Sequence, residues 1–402
     1  MYKKVIFGIS LFLTGAFLAQ EVTNAEQSNY KFKKIYHHEA TPVQSQGNTG
    51  TCWSFSALSF FESEMMRLGV KNPPILSEMY IVRKAYEMKA EKYIRMDGKT
   101  NFAEGGAFHD IPLVIKKYGI VPFDLYDGLN GQKSYNHSVI YKELHTYLNK
   151  LLTLTNEPDG IPSDWKNFIS EVLDKNLGET PSKFDWNGKN YTTNSFAESL
   201  KLNMDDYYSL TSFTNHDLYT KCQLEIQDNW AWGDSYNVNL NDLVQTVKYA
   251  LEKGFTVAWG ADVSEKGFSF KNGIAIVPEN SASIEVKGSD NKNFSDPGAV
   301  RVSNAFLNPS KEMKITPEIR QMSYDNKTTT DDHGMHIVGL YKDQNGTDFF
   351  LVKNSWGTTN YPEGYLYVSE AYFKYKTINI YLHKDAIPQE VKANFSAGIF
   401  NK

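Results

Sequence analysis

Downstream of position 51 the apolar residues fall at three- and four-residue intervals. Ala57, Leu58, Phe61, Met65 and Leu68 share one face and Gly69 follows as a stop, which predicts an amphipathic helix beginning at Cys52. Asn72-Pro73-Pro74 interrupts the chain, and Ile75-Leu76-Ser77-Glu78 opens a second helix. A loop carrying Glu104-Gly105-Gly106 leads into a third, ending near Tyr118-Gly119. From about 130 to 240 the texture changes to mixed Asn, Asp, Lys, Tyr and Trp with short helical patterns such as 165–173, and this stretch reads as an insertion. Beyond it, 240–251 has helical periodicity and 255–260 reads as a buried strand. A polar, loop-like region spans 279–308, as does the segment 21–42 near the start. The final third, with 335–341, 349–353 and 364–368, alternates aliphatic and aromatic residues in the manner of antiparallel strands. Helices first and sheet last predict an α+β protein of two lobes, one helical and one sheet-built.

Composition sharpens this picture in three places. The 402 residues are 41% hydrophobic and 14% aromatic, enough for a sizeable core, and the length exceeds one comfortable core. A formal net charge of -5 provides no basic field, which argues against a nucleic-acid partner. Met1-Tyr2-Lys3-Lys4, an apolar run from Val5 to Leu13 and small residues up to Ala19 predict a signal peptide over 1–19 and an exported protein, periplasmic or secreted. The run is shorter than the roughly 20 residues a membrane span needs, so no span is expected in the mature form.

Cysteine is scarce: Cys52 and Cys222 are the only two. A bridge between them would be a structural use, but it would consume the more interesting thiol. Cys52 begins a predicted helix, where unpaired N–H groups and the helix dipole favour a thiolate. A nucleophilic cysteine also needs an imidazole and a group to orient it. His333 and His336 compete for that role, and on a strand only one of them can face the cleft. Asn354, in Asn354-Ser355-Trp356-Gly357, can accept the imidazole N–H while Trp356 shields it. Gln46, six residues before the cysteine, can donate to an oxyanion together with the Cys52 N–H. His37-His38-Glu39 reads as solvated rather than metal-binding, and no metal or other cofactor is expected.

The order Gln-x5-Cys-Trp-Ser-Phe, His-x5-Gly and Asn-Ser-Trp-Gly, followed by Glu363-Gly364-Tyr365, resembles the papain superfamily of cysteine peptidases. Thr49 stands where the papain signature has its first cysteine, so the disulfide that cysteine makes is missing. The resemblance implies a papain-like two-lobe fold with Cys52 as nucleophile, His333 as general base and acid, Asn354 as its orienting amide and Gln46 as oxyanion donor. His333 is preferred to His336 because the family's glycine, here Gly339, follows the catalytic histidine by six. Gly105 and Gly106 resemble the strip that binds a substrate's main chain, and with Trp53 and Trp356 they form the expected substrate-binding set. His333 lies 281 residues after Cys52, against roughly 130 to 150 in papain-like enzymes, so about 140 residues are inserted. With "LSEMYIVRK", "EGGAFHDIPLVIKKYGIVPFDLY" and "HGMHIVGL", this is similar to the bleomycin hydrolase and aminopeptidase C branch. That branch implies a thiol aminopeptidase acting on short peptides, commonly a cytoplasmic homo-hexamer whose C-terminal arm meets the substrate's free amine. A signal peptide and a tail over 387–402 that does not match the arm depart from it. A papain-like endopeptidase and a peptide-binding protein of the same fold that does not cut are the alternatives.

Overall fold

The computed structural model describes residues 22–280, 283–287, 300–396 and 398–400; the predicted signal peptide lies outside them. The N-terminal half is mainly helical. α1 (Cys52–Arg67), α2 (Glu78–Arg95) and α3 (Asp110–Tyr118) are followed by α4 (Ser138–Thr153), α5 (Trp165–Leu177) and α6 (Thr193–Ser199). Their apolar faces meet in one cluster that includes Leu58, Phe61, Met79, Ile111, Leu144, Val172 and Phe196. Ser77 caps α2 by accepting from the Tyr80 N–H, and Gly119 ends α3 at φ +74°, where its missing Cβ lets Thr193 pack against it.

The strands run β1 (Lys33–His37), a hairpin of β2 (Lys183–Trp186) and β3 (Lys189–Thr192), β4 (Tyr207–Thr211), β5 (Lys221–Gln223), β6 (Asp234–Asn237) and β7 (Val257–Ala261). There follow β8 (Phe268–Ser269), β9 (Ile274–Ala275), a small pair of β10 (Glu285–Lys287) and β11 (Val300–Val302), β12 (His333–Lys342), β13 (Asp348–Lys353), β14 (Tyr365–Ser369) and β15 (Thr377–His383). One eleven-stranded sheet has the order β5-β6-β4-β15-β7-β12-β13-β14-β9-β8, with β1 also on β12. Most pairings are antiparallel; β4 with β6 and β14 with β9 are parallel. β12 pairs with β7 through residues 333–337 and with β1 through 339–342, so its two halves have different neighbours on one side. α7 (Leu240–Glu252) packs against this sheet through Leu243, Val244 and Val247, and α8 (Pro317–Asp325) and α9 (Glu370–Lys376) complete the lobe.

The structure adds to the sequence reading in four places, the first being that the loop-like region 279–308 carries the short antiparallel pair β10 and β11. Segment 21–42 is not all loop: β1 extends the sheet, and Tyr30 and Phe32 stack beside Phe349 and Tyr367. The stretch 130–240 divides between lobes, for α4 and α5 build the helical core while β4, β5 and β6 widen the sheet. α1 is not amphipathic in place, because every residue from Cys52 to Met65 is buried between the lobes. Its serines survive burial through hydrogen bonds, Ser54 Oγ donating to the Glu78 carbonyl at 2.9 Å and Ser56 Oγ to the Cys52 carbonyl at 2.7 Å.

Candidate active site

Cys52 is the first residue of α1 and is 7% exposed. β12 crosses this end of the helix so closely that a Cβ on Gly334 would lie 2.7 Å from Ser56 Oγ and 3.3 Å from the Trp53 Cα. The glycine lets strand and helix touch, which sets His333, its neighbour, beside the cysteine. Backbone N–H groups of Gly334 and Trp53 point at the sulfur and favour a thiolate. Burial outweighs them, and with the nearby carboxylates of Asp228 and Asp331 pushes the thiol up to about 12. The helix terminus alone therefore does not ionise Cys52, contrary to the simple expectation for a cysteine in that position.

His333 is buried at the start of β12, and its Nε2 lies 2.7 Å from Asn354 Oδ1. The Ser355 N–H donates to the same Asn354 atom at 2.8 Å, which identifies that atom as the oxygen. Nε2 therefore carries the proton, and Nδ1 is the basic nitrogen. Trp356 lies over the imidazole, centroid to centroid 4.6 Å, and is itself wedged edge-on by Phe268 and Phe270. Burial lowers His333 to about 4, against the opposing pull of Asn354 and Asp332. His336, the competing histidine, is on the other face of β12. It meets Ser59 Oγ at 3.0 Å and lines a small buried polar cavity with Glu62, Glu78 and Lys353.

Gln46 is fully buried, its amide nitrogen donating to the Thr49 carbonyl at 2.7 Å and its oxygen accepting from Ser355 Oγ at 2.7 Å. The Gln46 N–H also reaches the Ser355 carbonyl at 2.9 Å, so the turn before Cys52 and the end of β13 are tied together. Cys52, His333, Asn354, Gln46 and Trp356 thus converge from three segments of chain. Gly105 and Gly106 form a partly exposed edge beside them. Trp53, expected to touch substrate, lies beneath this edge instead. It is 2% exposed, a Cβ on Gly106 would meet its ring at 2.8 Å, and its Nε1 donates to the Glu104 carbonyl at 3.1 Å. Indole is large and its single N–H is satisfied there, so it supports the strip from below.

Several groups at the site gave no recognisable signal in the sequence. Lys89 of α2, buried, donates to the carbonyls of Ala103 and Gly105 and so fixes the strip. Glu104 accepts the Gly50 N–H at 2.6 Å and steadies the turn before Cys52. Asp228 and Trp230, from the connection between β5 and β6, reach the same place; only the folded topology could bring them there. Cys222 is buried in β5 and both cysteines are free thiols. His37 meets Tyr341 and His38 the Leu251 carbonyl, and among the described residues no group of three or more potential ligands is arranged for a metal ion.

Residues 76–287 and 313–401 match the family described as the Peptidase C1-like family, a span that includes His333 and Asn354 and begins after Cys52. The chain is 23% identical to an aminopeptidase C of Listeria monocytogenes over 98% of its own length and 91% of the relative's. It is 22% identical to an aminopeptidase G of Lactobacillus delbrueckii subsp. lactis over 87% and 82%. Among solved structures, PepW of Lactobacillus rhamnosis superposes with a TM-score of 0.69 at 18% identity, covering 90% of this chain and 84% of that one.

Proposed function

Because the chain belongs to the Peptidase C1-like family, we propose that it is a cysteine-type aminopeptidase that removes residues from the free N-terminus of short peptides. The observation carrying this is the convergence at the head of α1: a thiol touched by the Gly334 N–H, and an imidazole held at 2.7 Å by Asn354 under Trp356. The aminopeptidase names of relatives aligned over nearly the whole chain support the exopeptidase part.

In the reaction, Nδ1 of His333 takes the Cys52 proton as the sulfur attacks the substrate carbonyl. Two opposite charges then form side by side in a dry site, where their attraction is strong. The developing oxyanion accepts from the Cys52 N–H and from the Gln46 amide, whose position Ser355 fixes. The imidazolium protonates the leaving amine, leaving a thioester. Water enters, His333 removes its proton, and the acid product departs with the thiol restored. Asn354 keeps the ring in the tautomer that leaves Nδ1 basic throughout.

The reading extends to location: a chain with the residue pattern of 1–19 acts outside the cytoplasm, which N-terminal mass analysis of protein recovered from its host tests. For the activity, purified mature protein is assayed in reductant on an aminoacyl fluorogenic amide and on its N-acetylated counterpart. Cleavage of the free amine that disappears in Cys52→Ala is the expected result. Undiminished turnover by that variant rules out the mechanism, and equal cleavage of both substrates rules out the exopeptidase part.

A further inference from the structure

The connection between β5 and β6, residues 224–233, does not stay with the sheet that carries it. It crosses to the helical lobe and is fastened there. Trp230 Nε1 donates to the buried Asp110 carboxylate at 2.6 Å, and Lys92 of α2 sits 3.4 Å over the Trp232 ring. A Cβ on Gly233 would lie within 2.3 Å of the His109 ring, so the loop backbone rests directly on the start of α3. Inside the loop Asn229 closes the turn on itself, accepting from the Gly233 N–H at 2.7 Å and donating to the carbonyls of Leu224 and Gly233. These contacts make it a strap across the cleft.

The strap lays the carboxylate of Asp228 on the glycine edge. A Cβ built on Gly105 would meet Asp228 Oδ2 at 1.9 Å, Cγ at 2.4 Å and Oδ1 at 2.5 Å. Asn101 Nδ2 donates to Oδ1 at 3.1 Å and holds the group there. An extended substrate lying along Gly105 and Gly106 therefore runs into Asp228 and must end before it. A peptide can end in an ammonium or in a carboxylate; a fixed carboxylate attracts the first and repels the second. Burial raises the Asp228 carboxyl above its ordinary range, Lys89 beneath the strip opposes that rise, and Cys52 lies in the field of Asp228. The described tail is elsewhere: Phe395 and Phe400 pack on Tyr236, and the Tyr208 hydroxyl donates to the Ile399 carbonyl.

We propose that Asp228, held over Gly105 by the 224–233 strap, is the residue that binds the substrate's terminal ammonium and so limits this enzyme to exopeptidase action. The inference rests on the aminopeptidase reading and names its specificity determinant.

The test uses Asp228→Asn, which keeps an acceptor for Asn101 and removes the charge, with Gly105→Ala as a second variant whose Cβ displaces the carboxylate without altering it. In each, the ratio of kcat/KM on the free aminoacyl amide to that on its acetylated counterpart is expected to fall about 30-fold or more, the scale for losing one partner of a buried charge pair. A reactivity measurement stands apart from turnover. In a Cys222→Ser background, Cys52 should react faster with a cationic methanethiosulfonate than with an anionic one, and Asp228→Asn should narrow that ratio. An unchanged substrate ratio in folded Asp228→Asn, or equal rates of the two reagents with the parent protein, overturns the proposal. Should the parent cleave neither substrate while the reagent bias is present and depends on Asp228, the aminopeptidase reading fails and the cationic site stands.

Discussion

At the scale of single residues the site is governed by burial. Cys52 is pushed up to about 12 and His333 down to about 4, so each is neutral at pH 7 when the cleft is empty. Protonating His333 removes the base. Because its folded value lies below the ordinary 6.5, kcat/KM should stay level as pH falls past 6.5 and decline only as it approaches about 4. The alkaline limb on a free-amine substrate has a different origin, loss of the substrate's ammonium near about 8, and should be absent with an acetylated peptide. Since burial is the first cause of the histidine's shift, Trp356→Ala should uncover the ring, raise its pKa and move the acid limb toward neutrality; a pH–rate profile with the acid limb unmoved would show that Trp356 does not shield His333. The same sign acts on stability. His333 and His336 bind fewer protons folded than unfolded below about 6.5, so their contribution is lost as pH falls through that window.

At the scale of elements, what decides the site is how closely β12 approaches α1. Gly334→Ala places a methyl 2.7 Å from Ser56 Oγ and against Phe108 and the Trp53 backbone, and none of these is the free end of a flexible chain. The strand must retreat, carrying His333 away from Cys52. We expect a loss of about 1–3 kcal/mol in stability from overpacking and a loss of about 10²-fold in kcat, since misplacement by an ångström costs that much. Retained kcat would mean that the strand has slack. Glu62 joins elements differently: its carboxyl accepts the Leu76 N–H at 2.8 Å and the Thr41 hydroxyl, linking α1 to the approach to α2. Glu62→Ala leaves two buried donors unpaired and should cost about 2–6 kcal/mol in denaturant unfolding, while Glu62→Gln keeps an acceptor and costs much less. These contacts mark the limit of what was legible in the chain. The spacing of Ala57, Leu58, Phe61 and Met65 revealed α1, and the alternation after 333 revealed β12 and β13, since both patterns report burial of one face. The polar face of α1 carries no such signal, because its serines and Glu62 are buried by partners distant in sequence. Gln46, Cys52, His333 and Asn354 could be picked out because their residue types and order have a chemical rationale. Asp228 could not, because one aspartate among many gains its meaning from a strap that only the tertiary fold lays over Gly105.

At the scale of the whole molecule, the question is which distant part of the chain closes the cleft. Two parts could in principle do so, the C-terminal tail and the 224–233 strap, and the fold separates them. The tail is packed into the sheet lobe through Phe395 and Phe400, whose rings meet each other at 5.1 Å and Tyr236 at 5.9 and 5.3 Å. β4 and β6, which carry Tyr208 and Tyr236, are separated from β12 by β15 and β7, so the tail stabilises the far side of the sheet. The strap spans from that side of the sheet to α2 and α3 and meets the glycine edge on the way. Removing residues 394–402 therefore separates stability from specificity. Two buried phenylalanines are lost at about 1.5–3 kcal/mol each, which lowers the Tm by several degrees or more. The preference for a free amine over a blocked one should survive in the folded truncated enzyme, because Asp228, Asn101 and Gly105 are untouched. A truncated enzyme that remains folded but cleaves acetylated and free substrates equally would transfer the anchoring role from the strap to the tail. Retained discrimination, together with its loss in Asp228→Asn, would mean that an element widening the sheet also selects the substrate's terminus.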